Sequence, residues 1–393
     1  MSSPSRKQEN TDDSAPIRAG ALYVHVPFCP RKCFYCDFYS LSIDAPAAMA
    51  YVDAVLAELS ADASVLARPL ESVFVGGGTP TVLGAPLLGR LLSALRRYIG
   101  PDTEFTVEAN PGTVNREIAD ILAHNGVNRV SLGVQSLQDD ELALLGRSHK
   151  ATDVAPAIQQ LTQAGLANLG VDLIYGICGQ SLDSWRETLR GALSLPIGHL
   201  SCYALSIEPG TPLERRIRAG ELAEMDEGLQ KDCYLAAIDA ARGAGMEQYE
   251  ISNFSRVGLQ CRHNLTYWRN KPYLGVGPAA ASFLAGVRRK NRPDLTAYME
   301  AVAAGGPPPA PQEHLTGRGA MAEAIMLGLR LTEGIDRSVF KDTYGLDPLD
   351  AFPASLTRYA DCGALQITPR NLRIDPHYFF VSNTILSDIL SEA

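Results

Sequence analysis

The chain has 393 residues, of which 46% are hydrophobic and 20% charged, and its formal net charge is −9. This composition is that of a soluble globular protein with room for one large domain and a smaller one, and the acidic balance argues against a nucleic-acid-binding surface. No stretch approaches the ~18–20 apolar residues of a membrane span, and residues 1–18 lack the apolar core of a signal peptide. We therefore expect a cytoplasmic protein with a disordered N-terminal lead.

Three cysteines lie within eight residues, at Cys29, Cys33 and Cys36, directly after an apolar strand predicted at residues 21–28. Three thiolates on one short loop can hold three corners of a cubane iron–sulfur cluster and leave one iron without a protein ligand. Half of a zinc site is one alternative, but no second close pair of cysteines or histidines follows. Disulfide bonding is another, which a chain without a secretory signature does not favour. The spacing therefore predicts a cluster with an open metal position.

Strands and helices alternate through the next 200 or so residues. Strands are predicted at 72–75, 104–110, 129–136, 168–176 and 199–208, and helices at 47–66, 85–98, 115–124, 138–145, 152–164, 183–194 and 225–244. This alternation predicts a parallel sheet covered by helices. The predicted fold class is α/β, a partial (β/α)6 barrel, and a flat doubly wound sheet is the alternative.

Distinctive polar residues and glycines follow the carboxyl ends of these strands. They are the Gly-Gly-Gly-Thr-Pro run at 76–80, Glu108, Asn110, Gln135, Asp172 and Tyr175. Because the carboxyl ends of parallel strands meet at one edge, we expect them to converge with the cysteine loop on one mouth. Each has an ordinary alternative: the glycine run as a plain turn, the carboxylates as members of structural ion pairs, and Arg147 as a solvated loop charge.

A second motif-rich segment lies between residues 249 and 286. It places His263, Asn264, Tyr267 and Trp268 within six residues. From the residues alone, the favoured interpretation is a histidine that is hydrogen bonded within an aromatic cluster. The alternative is a haem ligand, since histidine is a common axial ligand of haem iron.

The composition of residues 303–313, rich in alanine, glycine and proline, predicts a linker. It separates a barrel with its extension, residues 19–302, from a domain at residues 314–393. In that domain we predict helices at 317–332, 336–344, 348–360 and 379–391 and paired strands near 365 and 372. Helices followed by a β-hairpin resemble a winged helix, but the acidic balance disfavours DNA binding, so we expect this domain to pack on or cap the barrel.

The cysteine spacing resembles that of the radical S-adenosylmethionine (SAM) superfamily, whose C-x3-C-x2-C motif is matched by Cys29, Cys33 and Cys36. Residues 20–390 resemble its HemN/HemW branch. The matching segments are Tyr-Val-His-Val-Pro-Phe-Cys, Gly-Gly-Gly-Thr-Pro-Thr, Glu-Ala-Asn-Pro, Gly-Val-Gln-Ser, Gly-Arg-Ser-His, Asp-Leu-Ile-Tyr-Gly and Ile-Glu-Pro-Gly-Thr. The resemblance implies that the open iron of a [4Fe–4S] cluster binds SAM, whose reductive cleavage gives methionine and a 5′-deoxyadenosyl radical.

The resemblance also implies which residues surround SAM. They are Tyr23, Tyr35, Gly77, Gly78, Thr79, Glu108, Gln135, Arg147 and Asp172. Tyr35 would stack near the adenine, Glu108 would accept from the ribose hydroxyls, and the glycine run would meet the polar end of SAM. In the coproporphyrinogen relatives some of these positions contact a second SAM, and no catalytic residue is assigned here.

Two subgroups of the branch differ at the position of Phe38. Oxygen-independent coproporphyrinogen III dehydrogenases have a fourth cysteine there, whereas haem chaperones of the HemW type have the Cys-Asp-Phe form. The HemW type also has the His-Asn-x-x-Tyr-Trp motif found here at residues 263–268. The resemblance therefore implies a haem chaperone that delivers haem to haemoproteins, with His263 as the candidate for binding haem. The alternatives are decarboxylation of coproporphyrinogen III propionates to vinyl groups, or radical chemistry on another substrate, so the assignment as an enzyme stays open.

Two positions depart from the HemW pattern: Ala281 stands where relatives have a histidine, in Gly-Ala-His-Ser, and Cys178 where they have proline. The partners implied by the resemblance are haem or a porphyrin, a haemoprotein acceptor that can be membrane-associated, and an electron donor such as flavodoxin or ferredoxin. Nucleic acid is not expected as a partner, and a homodimer stays open.

Overall fold

The structure is a computed structural model that describes residues 18–306 and 311–392. The predicted disordered lead, apart from Arg18, and the middle of the predicted linker lie outside the described residues. Within the described ranges, no helix is long and apolar enough to cross a membrane.

Six parallel strands lie side by side in chain order and form the centre of the fold. They are β1 (Ala21–Val26), β4 (Ser72–Gly77), β5 (Glu104–Ala109), β6 (Arg129–Gln135), β7 (Asn168–Tyr175) and β8 (His199–Ala204). The short strands β2 (Phe28–Cys29) and β3 (Leu41–Ser42) pair with each other after β1. The prediction of six strands in an α/β fold is confirmed.

The helices that connect these strands are also those predicted, with one addition. They are α1 (Ala45–Ala61), α2 (Gly84–Leu95), α3 (Arg116–His124), α4 (Asp139–Leu145), α5 (Val154–Gln163), α6 (Leu182–Leu193), α7 (Pro212–Arg218) and α8 (Glu227–Gly243). The addition is α7, which Thr211 caps by accepting the N–H of Glu214.

The strands follow a two-residue alternation that separates an apolar helix-facing side from a polar interior. Val24, Val75, Val107 and Val130 are register partners or successive neighbours across four strands, and all are fully buried in the main core with the helices. Since successive side chains of a strand point to opposite faces, the residues between them face the barrel interior. This alternation turns Glu108 and other polar side chains inward, where an apolar core would otherwise lie.

The sheet continues beyond the six strands on both sides and remains open. The added strands are β9 (Glu247–Gln248), β10 (Asn253–Ser255), β11 (Tyr273–Val276), β12 (Ala281–Leu284), β13 (Val287–Lys290) and β14 (Gln312–His314). Strand β11 pairs in parallel with β1, and β10 pairs antiparallel with β8. Among the described strands the two edges, β14 and β9, do not pair with each other, so the barrel is partial.

Both ends of the predicted linker, residues 303–313, belong to regular secondary structure. Ala303 is the last residue of α10 (Leu295–Ala303), which Asp294 caps through the N–H of Ala297. Residues 312–314 form β14, which pairs with β13 although the composition predicts no strand there. Glutamine, glutamate and histidine pair here through their backbones, while their side chains are exposed.

The C-terminal part packs helices around a small sheet and lies against the barrel extension. Its elements, with the preceding helix of the extension, are α9 (Arg262–Trp268), α11 (Gly317–Gly328), β15 (Ile335–Asp336), α12 (Arg337–Tyr344), α13 (Pro348–Ala351), α14 (Pro353–Asp361), β16 (Leu365–Ile367), β17 (Asn371–Ile374) and α15 (Ser382–Ser391). Strand β17 lies between β15 and β16. The N–H of Thr332 donates to the carbonyl of Tyr249 at 3.1 Å, and Arg269 pairs with Glu333 at 2.9 Å, so this part is bonded directly to the extension.

Candidate functional site

A cavity of about 570 Å³ extends into the barrel from the carboxyl ends of its strands. Its volume is in the usual range for sites that bind small molecules. Eleven of the thirteen predicted site residues line it: Cys29, Cys33, Tyr35, Cys36, Gly77, Gly78, Thr79, Glu108, Gln135, Arg147 and Asp172. The other two, Tyr23 and His263, do not.

The cysteine loop is fixed at its centre by two backbone hydrogen bonds from other elements. The N–H of Phe34 donates to the carbonyl of Leu145 at the end of α4, and the carbonyl of Phe34 accepts from the N–H of Leu213 in α7, both at 2.9 Å. The hydroxyl of Thr79 lies 3.7 Å from the sulfur of Cys29. The three cysteines are free thiols, partly exposed toward the cavity. The two backbone bonds of Phe34 hold the loop without using its sulfur atoms.

The Gly-Arg-Ser-His segment supports the cysteine loop directly. Gly146 has a left-handed backbone, φ +73°, and a Cβ there would lie 2.8 Å from the ring of Phe34. The next residue, Arg147, donates from Nη1 to the sulfur of Cys33 at 3.4 Å and from Nη2 to the carbonyl of Gly133. Arg147 is therefore not a solvated loop charge; it connects the cysteine loop to the end of β6.

The glycine run brings the chain close to β1 and β5. A Cβ on Gly76 would lie 2.6 Å from the carboxylate of Glu108, and one on Gly78 would lie 2.4 Å from the carbonyl of Phe28. The N–H groups of Gly77, Gly78 and Thr79 donate to Glu108, Val26 and Phe28 respectively. These amides are satisfied within the protein, so any contact of the run with a ligand uses other atoms.

Two carboxylates face the cavity. The side chain of Glu108 accepts the N–H of Gly77 at 3.0 Å. The hydroxyl oxygen of Ser131 lies 3.1 Å from each carboxylate oxygen of Asp172, which accepts its proton. Burial, followed by the charge of Asp172, raises the pKa of Glu108 to about 7. Burial also raises the pKa of Asp172. Neither carboxylate is in an ion pair among the described residues, so both keep acceptor capacity for a ligand.

Gln135 ends β6 with an unusual backbone. Its φ is +70°, and the register between β6 and β7 shifts between Gly133 and Gln135. Bulges and left-handed residues redirect a side chain, and they concentrate at functional sites. The Oε1 atom of Gln135 and the Nε atom of Arg147 are buried without a hydrogen-bond partner. Two unsatisfied polar atoms of opposite type at the mouth fit a polar ligand there.

Tyr23 and His263 lie behind the cavity wall, in the aromatic cluster that the residues alone favour. The ring of His263 stacks on Phe74 at 5.1 Å between centroids. Its Nδ1 lies 2.9 Å from the hydroxyl of Ser72 and its Nε2 lies 2.8 Å from the hydroxyl of Tyr267. Burial lowers the pKa of His263 to about 3, so the ring is neutral. Tyr23 is mid-strand rather than at a strand end, and its hydroxyl bonds Nδ1 of His25 at 3.0 Å.

Several residues that the sequence did not single out also line the cavity. They include Phe74, Arg129, His199 and Tyr203, and the cavity is lined as well by Phe38 and Asn264, which the sequence singled out without placing them there. The His-Asn-x-x-Tyr-Trp motif thus contributes Asn264 to the cavity while its histidine lies behind. Arg129 and His199 begin their strands, so the rule that functional residues lie at the carboxyl ends of strands misses them. What could have predicted them is that each is a polar residue at an inward-facing position of an apolar strand. The two departures from the family pattern, Cys178 and Ala281, do not line the cavity.

The donor set fits an iron–sulfur cluster. Three thiols of one loop border one cavity, and a cation, Arg147, lies beside one of them. Among the described residues, no group of three His, Cys, Asp or Glu side chains converges on a single metal ion. A cubane cluster makes a different demand, because each thiolate binds a different iron atom.

Comparison with known proteins shows the family. Residues 23–192 match the radical SAM superfamily and residues 315–380 the HemN C-terminal domain. The chain is 33% identical to the heme chaperone HemW of Bacillus subtilis over 95% of this chain and 99% of that protein. The chain belongs to the HemW family of radical SAM proteins. Membership of the superfamily implies a [4Fe–4S] cluster and SAM as cofactors.

Other relatives also match over most of the chain. The heme chaperone HemW of Synechocystis is 38% identical over 80% of this chain and 79% of that protein. The mitochondrial radical S-adenosyl methionine domain-containing protein 1 of Bos taurus is 33% identical over 94% and 87%. Among solved structures, the coproporphyrinogen III oxidase HemN of Escherichia coli superposes with a TM-score of 0.84 over 96% of this chain and 92% of that chain, at 22% identity. That similarity shows the shared fold alone.

Proposed function

We propose that this protein is a haem chaperone: it binds haem and delivers it to haemoproteins, using a barrel built for a [4Fe–4S] cluster and SAM. The observation that carries the proposal is Phe38. It lines the cavity and is 63% exposed at the position where the coproporphyrinogen enzymes have a fourth cysteine. The similarity to proteins named heme chaperone HemW, over nearly the whole chain, supports the same function.

In this proposal the three thiolates of Cys29, Cys33 and Cys36 hold the cluster, and when bound the cluster supplies an electron to SAM. Arg147 offsets the negative charge of the thiolates from its position beside Cys33. Tyr35 covers the inner side of the loop from a small apolar cluster with Leu145, Ile174 and Ile177. The chain thereby excludes water from one side of the cluster, as radical chemistry requires.

The remaining cavity residues hold SAM. Glu108 and Asp172 offer carboxylate acceptors to hydroxyl groups, and Gln135 offers an unpaired amide oxygen. Hydroxyl groups donate strongly to carboxylates, so Glu108 suits the ribose. Tyr23 acts from behind this layer, through His25 and Phe74, rather than by direct contact.

Haem binding at His263 requires a local opening. Both ring nitrogens are hydrogen bonded, to Ser72 and Tyr267, and a nitrogen that binds iron cannot keep such a bond. The residue is 1% exposed, so an iron atom reaches it only if the aromatic cluster moves. We therefore propose that a haem contact of His263 forms after the bond to Tyr267 breaks.

A spectroscopic haem titration of the anaerobically reconstituted protein tests this function. The wild type should bind haem stoichiometrically. His263→Ala should weaken binding or change the haem spectrum, and Tyr267→Phe should strengthen binding, since it frees Nε2. The exposed His124 provides a matched control in His124→Ala, which should bind as the wild type. Absence of haem binding by the wild type would contradict the chaperone function. Haem binding that neither His263→Ala nor Tyr267→Phe changes would contradict the role of His263.

The partners that this function needs are a haemoprotein acceptor and an electron donor such as a flavodoxin or ferredoxin. Porphyrinogen decarboxylation remains the second candidate function, and the match of residues 315–380 to the HemN C-terminal domain is the observation behind it. Conversion of coproporphyrinogen III with SAM and a reductant would support that candidate instead.

A further inference from the structure

The floor of the cavity contains a buried cation that the protein does not pair. Arg129 is the first residue of β6, is 2% exposed and lines the cavity. Its guanidinium makes no hydrogen bond or ion pair with any residue of the described ranges 18–306 and 311–392, and its Nε atom is buried without a partner. Although burial disfavours the charge, the nearby Cys261, Glu104 and Asp172 raise the pKa of Arg129. None of them bonds the guanidinium, so its N–H groups keep donor capacity for a further acceptor.

A second unsatisfied donor lies at the same level. His199 is the first residue of β8, is 1% exposed and lines the cavity. Its Nε2 lies 2.8 Å from the hydroxyl of Tyr249, which itself accepts the N–H of Cys261 at 3.4 Å. Among the described residues, Nε2 of His199 is the acceptor within reach of the Tyr249 hydroxyl proton, so we assign that proton to this bond and the ring proton to Nδ1. That atom is buried without a partner.

Gly170 leaves the space between these two donors. It is the register partner of both Ser131 and His199 in the middle of the sheet. A Cβ at Gly170 would lie 3.3 Å from Nδ1 of His199 and 3.5 Å from Nη2 of Arg129. Its φ is not left-handed, so the backbone does not require glycine. The group that approaches is the side chain of His199 itself, whose Cβ would lie 3.4 Å away, and the glycine leaves open space between the two donors.

We propose that Arg129 and His199, above Gly170, form a subsite that binds a carboxylate of the ligand in the cavity. The site offers two buried donors, which is what a carboxylate requires. Its nearest acidic groups bond other partners and not Arg129: Asp172 accepts from Ser131, and Glu104 accepts from the N–H groups of Arg262 and His263. Asn264 lines the same cavity and can add a neutral contact.

The subsite is separate from the end of the cavity that faces the cysteine loop. Arg129 and Gln135 begin and end β6, and at about 3.3 Å per residue their Cα atoms lie roughly 20 Å apart. A carboxylate held at the floor therefore lies deeper in the barrel than the thiols, and the ligand that carries it extends along the barrel axis. The inference rests on the proposed function in that it needs a carboxylate-bearing ligand in the cavity.

Binding of matched pairs of compounds to the cluster-loaded protein tests the subsite. The pairs are haem with haem dimethyl ester, and coproporphyrin III with its tetramethyl ester. If the floor binds the carboxylate of a compound, the wild type should bind the free acid about tenfold or more tightly than its blocked counterpart. This is the difference in affinity expected for hydrogen bonds to a charged group. Arg129→Gln should remove that preference, and Gly170→Ala should weaken the acid without changing the affinity for its blocked counterpart.

Gly89→Ala is the control for Gly170→Ala, because a Cβ at Gly89 meets only Ile121, at ordinary contact distances of 3.5 and 3.6 Å, on the helix layer. It should bind all four compounds as the wild type does. If Arg129 is only a counter-ion for Glu104 and Asp172, the variants should lose thermal stability, and the ratio of the affinity for each free acid to that for its blocked counterpart should stay at the wild-type value. That result would show that the subsite does not exist. Failure of all variants to bind haem contradicts the proposed function, while the coproporphyrin pair still decides the subsite.

Discussion

Nη1 of Arg147 lies 3.4 Å from the sulfur of Cys33, although 114 residues separate the two in the chain. The contact joins the cysteine loop to the Gly-Arg-Ser-His segment and places a positive charge at the proposed cluster. A hydrogen bond or cation near a cluster sulfur stabilises the reduced cluster relative to the oxidised one.

Arg147→Gln should therefore make the cluster harder to reduce. If the contact contributes about 1 kcal/mol to the reduced state, the midpoint potential falls by roughly 40 mV for one electron. A redox titration followed by electron paramagnetic resonance, at equal iron content, measures this. Arg31→Gln is the control, because Arg31 is exposed on the same loop and lies over the ring of Phe34. Equal shifts in both variants would show that the contact with Cys33 has no special role.

Gly146→Ala should reduce the retention of the cluster. The added Cβ would lie 2.8 Å from the ring of Phe34, and the backbone at φ +73° disfavours alanine by about 1 kcal/mol. Gly165→Ala carries the same backbone penalty at φ +91° but meets no atom within 4 Å. Both variants should lose stability in urea unfolding, and only Gly146→Ala should lose iron per chain. Equal iron contents in the two variants would rule out the support by Gly146.

Ala279→Gly should stabilise the protein. Ala279 has φ +62°, in the left-handed region that costs a non-glycine residue about 1 kcal/mol. The free energy of unfolding should rise by up to this amount, less the entropy that glycine loses on folding. Ala304→Gly, at φ −82° on the exposed end of α10, gives no such relief and should be neutral or destabilising. A loss of stability in Ala279→Gly would show that the strain is absent.

Glu250 should make the protein less stable as the pH rises. Burial raises the pKa of Glu250 to about 7, above the ordinary value of a glutamate. Between about pH 4.5 and 7 the unfolded chain loses this proton while the folded chain keeps it, so the stability falls through that window. The full difference is about 3 kcal/mol at 1.36 kcal/mol per pKa unit.

Glu250→Gln keeps an oxygen to accept the N–H of Ser252 and the amide of Asn253 but cannot ionise. The free energy of unfolding of this variant should equal that of the wild type at pH 4 and should exceed it by up to about 3 kcal/mol at pH 8. Because Glu108 titrates in both proteins, its contribution cancels in the comparison. Urea unfolding at a series of pH values measures the difference. A difference that does not change with pH would place the pKa of Glu250 near its ordinary value.

Much of the barrel and its mouth could be predicted from the sequence because the responsible signals are local. Each strand is an apolar run followed by a helical period, and the rule that chemistry lies at the carboxyl ends of parallel strands gathers Glu108, Gln135 and Asp172 with the cysteine loop. The structure places all of these around one cavity. The family resemblance added the identity of the cofactors, which spacing alone left open.

The features that the sequence missed depend on pairing between distant segments. Strand β11 lies beside β1 although about 250 residues separate them, and no local pattern specifies that neighbour. The side chain of His263 reaches Ser72 from a helix far along the chain, and this contact decides that the ring faces the wall and not the cavity. Arg129 and His199 lie at strand beginnings, which the carboxyl-end rule does not search.

The most direct test of the account offers the cluster-loaded protein both haem and coproporphyrinogen III, anaerobically and with SAM and a reductant. Absorption spectra report bound haem, and fluorescence after oxidation reports protoporphyrinogen. A haem chaperone should bind haem stoichiometrically and should show no sustained formation of protoporphyrinogen. Repeated turnover of coproporphyrinogen III, or a protein with an intact cluster that binds no haem, would contradict it.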